Sequence, residues 1–110
     1  MEKIAIRAEG TYPKDGSWQE NAGGKNIAAK LEGLTDQNLN EYTITIETDQ
    51  PSELKLDGWD MKTKKDETGH CVATLHRTGT PIARRIRELR FPEGVKFRVS
   101  WSGYGEEVRR

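Results

Sequence analysis

The chain is poor in everything that would staple, anchor or polarise it. Its one cysteine, Cys71, cannot form an internal disulfide, so the fold must stand on its own core. No apolar run approaches the roughly 20 residues needed to span a bilayer, and no membrane partner is expected. Eighteen Lys and Arg balance eighteen Asp and Glu, for a formal net charge of +0. That balance argues against a general polyanion binder, and no nucleic-acid partner is expected. The opening Met-Glu-Lys-Ile-Ala-Ile-Arg has neither the apolar stretch of a signal peptide nor the composition of a transit peptide. No internal repeat or low-complexity stretch is present.

What remains is 110 residues, of which 33% are hydrophobic and 33% charged. That length suits one domain, residues 1–110, and buries roughly two-thirds of the unfolded surface. The core has to be economical. Residues 81–110 hold eight basic side chains (Arg84, Arg85, Arg87, Arg90, Lys96, Arg98, Arg109, Arg110) against four acidic ones (Glu88, Glu93, Glu106, Glu107), which makes a basic flank.

Alternation of apolar and polar residues is the dominant pattern, in short pieces bounded by turn residues. Ile4 and Ile6 predict a first strand closed by Glu9-Gly10. Thr11–Gly24 reads as a long loop or very short strands. Ile27, Ala29 and Leu31 predict a strand over 26–31. Tyr42, Ile44 and Ile46 alternate with Thr43, Thr45 and Glu47. Leu54 and Leu56 lead to Asp57-Gly58, after which Trp59 and Met61 begin another strand. Residues His70–His76 form the next, with Cys71, Ala73 and Leu75 on one side. Thr80-Pro81 followed by Ile82, Ile86 and Leu89 fits either a short helix over 81–90 or an irregular connection. Val95, Phe97, Val99 and Trp101 alternate without interruption, so Ile44, Ile46, Val95, Phe97 and Val99 are expected to share one core. The fold class this implies is all-β: an antiparallel two-sheet, immunoglobulin-like β-sandwich, with a jelly-roll-like variant or small barrel as alternatives.

Catalytic constellations are thin, and the chain is read as non-enzymatic. His70 and His76 project from one strand face but lack a third ligand, so no metal and no cofactor are expected. Cys71 points away from His70, which removes a simple nucleophile–base pair. The aromatic residues say more. Trp18 sits in Asp-Gly-Ser-Trp-Gln-Glu-Asn and Trp59 in Leu-Asp-Gly-Trp-Asp-Met, both outside any strong apolar alternation. Each is either an exposed platform or a plug over one end of the sandwich. Tyr12 and Tyr104, in turn-rich segments, could extend such a platform.

The order of features resembles family-two carbohydrate-binding modules, the cellulose- and xylan-binding β-sandwiches of bacterial polysaccharide hydrolases. The likeness rests on Trp-Gln-Glu-Asn-Ala-Gly-Gly, Glu-Tyr-Thr-Ile-Thr-Ile-Glu-Thr, Trp-Asp-Met-Lys-Thr and Phe-Pro-Glu-Gly-Val-Lys-Phe-Arg-Val-Ser-Trp-Ser-Gly-Tyr-Gly. It lacks that family's third surface tryptophan, its terminal cysteine pair and its Ser/Thr/Asn-rich surface. The resemblance implies a module that stacks Trp18 and Trp59 on sugar rings. Gln19, Asn21 and Asp60 would bond hydroxyls, and Tyr12 and Tyr104 would flank them. Its partner would be a polysaccharide, a β-glucan or plant cell-wall glycan. It would be a monomer, secreted or at the cell surface as part of a larger enzyme. The alternative is a phage or bacterial accessory domain, cytoplasmic, holding a protein partner by an edge strand or by the basic 84–98 surface.

Overall fold

A computed structural model of the chain describes residues 2–20, 23–79 and 85–109. These form nine strands in two antiparallel sheets and one short 3₁₀ turn. The strands are β1 (Glu2–Tyr12), β2 (Gln19–Glu20), β3 (Glu41–Thr48), β4 (Glu53–Leu56), β5 (Trp59–Lys62), β6 (Lys64–Lys65), β7 (Cys71–Thr78), β8 (Leu89–Arg90) and β9 (Lys96–Arg109). The larger sheet runs β1-β9-β3-β7-β6, with β2 also paired to β9. The smaller runs β5-β4-β8. The two-sheet antiparallel sandwich expected from the alternation is the fold observed.

β9 is the spine. Its inward residues Phe97, Val99 and Trp101 are buried, as are Tyr42, Ile44 and Ile46 on the neighbouring β3 and Leu54, Leu56 and Leu89 from the facing sheet. Val95, just before β9, is buried too. Phe91 and Phe97 stack with centroids 4.0 Å apart and an interplanar angle of 8°, joining the two layers. β1 follows β9 through eleven register pairs, from Glu2↔Arg109 to Tyr12↔Val99. β3 stops at Tyr104, so the far ends of β1 and β9 continue as a two-stranded ribbon and the molecule measures 48 × 28 × 25 Å.

Three glycines let β1 and β9 run past the groups packed on their inner side. A Cβ on Gly10 would lie 2.4 Å from the Trp101 ring; on Gly105, 2.2 Å from the Asn38 carbonyl oxygen; on Gly103, 2.6 Å from that of Glu41. The indole and the 38–41 backbone cross the inner side of the strands where side chains would otherwise stand. The first strand, expected to close at Glu9-Gly10, therefore runs on through Gly10 to Tyr12.

One segment differs from expectation, and another settles between the two readings open to it. Residues 26–31 are not a strand: Ala28–Lys30 is a 3₁₀ turn, with Ala29 exposed and Ile27, Ala28, Leu31 and Leu34 buried. Ala28, Leu31 and Leu34 recur every three residues, the 3₁₀ period, and this overrides the weaker alternation through Ala29. Asn26 fixes the entry, its Oδ1 accepting from Ala28 N and Leu89 N at 3.0 Å each and its Nδ2 donating to the Arg87 carbonyl at 2.9 Å. Of the two readings of 81–90, the described part takes the irregular connection and not the helix: residues 85–88 are irregular and Leu89–Arg90 is β8. The backbone N–H groups of Arg87 and Glu88 donate to Asp57 Oδ1 (2.7 and 2.9 Å) and that of Leu89 to Asn26, so they are not available for helical bonds. Residues 80–84 lie outside the described residues.

Candidate functional site: the outward face of the larger sheet

Strand alternation that buries Phe97, Val99 and Trp101 turns Arg98, Ser100, Ser102 and Tyr104 outward. The register then builds rows across four strands. Thr11, Ser100, Thr45 and Thr74 lie side by side, and so do Glu9, Ser102, Thr43 and His76. Arg7, Tyr104, Glu41 and Thr78 form the next row, and Arg98, Glu47 and Val72 flank the hydroxyl rows on the other side. This gives a broad sheet face with a hydroxyl-rich middle and an aromatic residue at each end.

At one end Trp18 stands beside Arg98, whose guanidinium lies 4.5 Å from the indole centroid. Arg98 is itself held: Nε and Nη2 donate to the two oxygens of Glu47 at 2.8 and 2.9 Å, and Nη1 donates to the Gly16 carbonyl at 3.3 Å. His70 approaches Glu47 at 3.3 Å from the other side. The Arg98 hydrogen bonds hold the Glu47 carboxyl below its ordinary range, against the opposing effect of partial burial, with the Arg98 and His70 charges adding to the lowering. The same bonds push Arg98 upward. Trp18 thus rests on a fixed cation and is 41% exposed.

At the other end Tyr104 is 56% exposed, and its hydroxyl donates to Glu41. That hydrogen bond, and the carboxylate charge behind it, raise the phenol above its ordinary range. Glu41 also meets His76 Nε2 at 3.2 Å, while His76 Nδ1 bonds the Thr43 hydroxyl at 2.8 Å. At each end a glutamate also pairs with a histidine: Glu47 holds the Arg98 that lies against Trp18, and Glu41 accepts from Tyr104 itself. Tyr104 lies six positions beyond Arg98, about 20 Å of extended chain.

The other sequence-predicted residues are elsewhere. Tyr12 turns inward against Phe97 (centroids 6.2 Å apart) and with Gln19 lines a cleft beside Asn26 and Ile27. Trp59 and Asp60 belong to the edge strand of the smaller sheet. Trp59 is 72% exposed. Asp60 bridges Lys55 at 3.3 Å across the β4–β5 hairpin. Asn21 lies outside the described residues. Trp18 and Tyr104 thus share a face, and Trp59 does not belong to it.

The Trp59 hairpin is stiff. Leu56 pairs with Trp59, leaving Asp57-Gly58 as a two-residue turn with φ of 49° and 82°. Positive φ at both positions defines the turn type that matches strand twist. Asp57 Oδ2 accepts from Arg77 on β7 at 3.1 Å, and the Gly58 N–H donates to Glu88 Oε1 at 3.1 Å. One carboxylate thereby ties the small sheet to the large one.

Of the basic 84–98 stretch, Arg90 pairs with Glu88 at 3.0 Å and Arg98 with Glu47 at 2.8 Å, so part of its charge is already matched. Cys71 is buried. Among the described residues no three His, Cys, Asp or Glu side chains come together as a metal site. No family model matches the chain, and no curated protein or solved structure is significantly similar to it.

Proposed function

We propose that this domain is a non-catalytic carbohydrate-binding module, and that the outward face of its larger sheet is where a polysaccharide lies. The observation that carries the reading is the pairing of Trp18 and Tyr104 at opposite ends of one exposed face, with rows of Ser, Thr, Glu and His side chains between them. Sugar rings present apolar C–H faces and a rim of hydroxyls. Exposed aromatics suit the first; hydroxyl, carboxylate and imidazole groups suit the second. A span of about 20 Å accommodates a short stretch of extended glycan. Trp59 would supply a separate contact on the other sheet for a ligand with more than one chain, as in cellulose. Each stacked ring contributes on the order of 1 kcal/mol beyond its buried area, so the expected affinity is micromolar to millimolar.

The test is titration with β-glucan and xylan oligosaccharides of increasing length, together with pull-down on insoluble cellulose. Affinity should grow with oligosaccharide length until both aromatics are covered. Trp18→Ala and Tyr104→Ala should each weaken binding by about fivefold or more, with unchanged circular dichroism. Absence of binding across a broad panel of cell-wall glycans would end this reading. The protein-interaction alternative would then stand first, on the strength of the outer edge of β1, with which no strand pairs among the described residues.

A further inference from the structure

β1 is an edge strand eleven residues long, and among the described residues no strand pairs with its outer side. Long exposed edges are ordinarily blunted, because their free N–H and C=O groups invite another strand. We propose that this edge pairs antiparallel with β1 of a second copy of the chain, about a two-fold axis through Ile6, to give one continuous sheet across a homodimer. The inference is independent of the carbohydrate reading.

The register follows from the side chains. Pairing across a two-fold axis normal to the sheet preserves its faces, so only residues of the same parity can oppose each other. A centre at Ala5 would set Lys3 against Arg7 of the other copy, twice. A centre at Arg7 would set the two Arg7 side chains together. A centre at Ile6 opposes Lys3 to Glu9, Ile4 to Ala8, Ala5 to Arg7 and Ile6 to itself. It alone among the three places opposite charges together on the outer face and aliphatic groups together on the inner one. Lys3 and Glu9 are exposed and Ile4 and Ile6 only half-buried in the single chain, so these groups are available. The Lys3–Glu106 pair within the chain, 3.9 Å apart with side chains 73% and 57% exposed, is too open to compete. Residues Lys3–Glu9 of both copies would exchange roughly six to eight backbone hydrogen bonds. Opposed charged and apolar pairs add to these. Like charges directly opposite would disfavour the two neighbouring registers.

Sedimentation velocity and light scattering from micromolar to near-millimolar protein test this directly. Wild type should approach twice the 12.5 kDa chain mass at the upper end. Lys3→Glu and Glu9→Lys should each raise the dimer dissociation constant by about tenfold or more, because two attractive pairs become repulsive. An equimolar mixture of the two variants should restore dimers, since each copy then offers the charge the other needs. Circular dichroism of each variant separates loss of pairing from loss of fold. A wild type that stays monomeric throughout, or single variants that associate like wild type, or a mixture that remains monomeric, would overturn the proposal.

Discussion

Gly10→Ala is a one-methyl perturbation whose sign depends on how rigid the core is. Gly10 lies in a strand with a backbone conformation any residue can adopt, so alanine by itself should stabilise by about 0.4–1 kcal/mol through the unfolded chain. The methyl, however, would lie 2.4 Å from Trp101 Cζ2 and 2.7 Å from Cε2. Both distances are more than half an ångström inside ordinary contact. Trp101 is 6% exposed, packed among buried side chains, with no described partner for its indole N–H. The ring cannot retreat without displacing neighbours, which typically costs about 1–3 kcal/mol. The midpoints of these two ranges leave a net loss of about 1.3 kcal/mol, and their extremes reach about 2.6, or roughly 6–11 °C in Tm for a domain of this size. Thermal unfolding by circular dichroism with urea titration alongside measures it. A Trp101→Phe background should remove most of the added cost, because the smaller ring vacates the space, and the double-mutant cycle isolates that term. Gly10→Ala as stable as wild type, or a cycle without coupling, would refute the claim that indole and backbone interlock here.

Phe97→Ala removes a fully buried ring stacked on Phe91 and should cost about 3–5 kcal/mol by urea denaturation, close to the whole stability of so small a domain. Asp57→Ala should cost about 2 kcal/mol or more, because Arg77 and two backbone N–H groups lose one acceptor. Asp57→Asn, which keeps an acceptor oxygen and tolerates the positive φ, should cost less. Trp59→Ala should leave Tm within about a degree or two, since that ring is mostly in water. Glu47 is held below its ordinary value of 4.5, so its contribution to stability is complete above that pH and drains away as pH falls through the lower folded value. Thermal melts across that acid range should steepen accordingly, and Glu47→Gln should flatten the slope.

Period-two patterning was a reliable guide wherever a strand had one wet and one dry face. β3 and β9 could be read from Tyr42–Ile46 and Val95–Trp101 because every second residue is apolar and fully buried. The β4–β5 hairpin showed through Asp57-Gly58, whose positive φ angles only a few residue types accept. Residues 26–31 misled because Ala29 is small enough to count in either period, and the decisive Leu34 lay beyond the short window. The length of β1 was hidden by Gly10, which reads as a turn but serves the indole of Trp101. The outward face was hidden for a different reason. Serines and threonines on the wet side of a strand carry no signal of their own, and Trp18 meets Tyr104's face only through a register between segments eighty residues apart. Trp18 and Trp59 look alike in sequence, each following a Gly-containing turn, yet the topology sends them to different sheets.

The antiparallel pairing of the first and last strands also has an engineering consequence. Glu2 and Arg109 are register partners, which places their Cα atoms about 5 Å apart. A linker of a few residues would close the chain into a ring, and new ends could then be cut at the exposed Asp66–Gly69 turn without breaking a ladder. A cargo fused at either end would hang from the same tip of the ribbon, about 35 Å along β9 from Trp18. Fusion order should therefore matter little to access to that indole, so fluorophores or enzymes could be attached at whichever end is convenient.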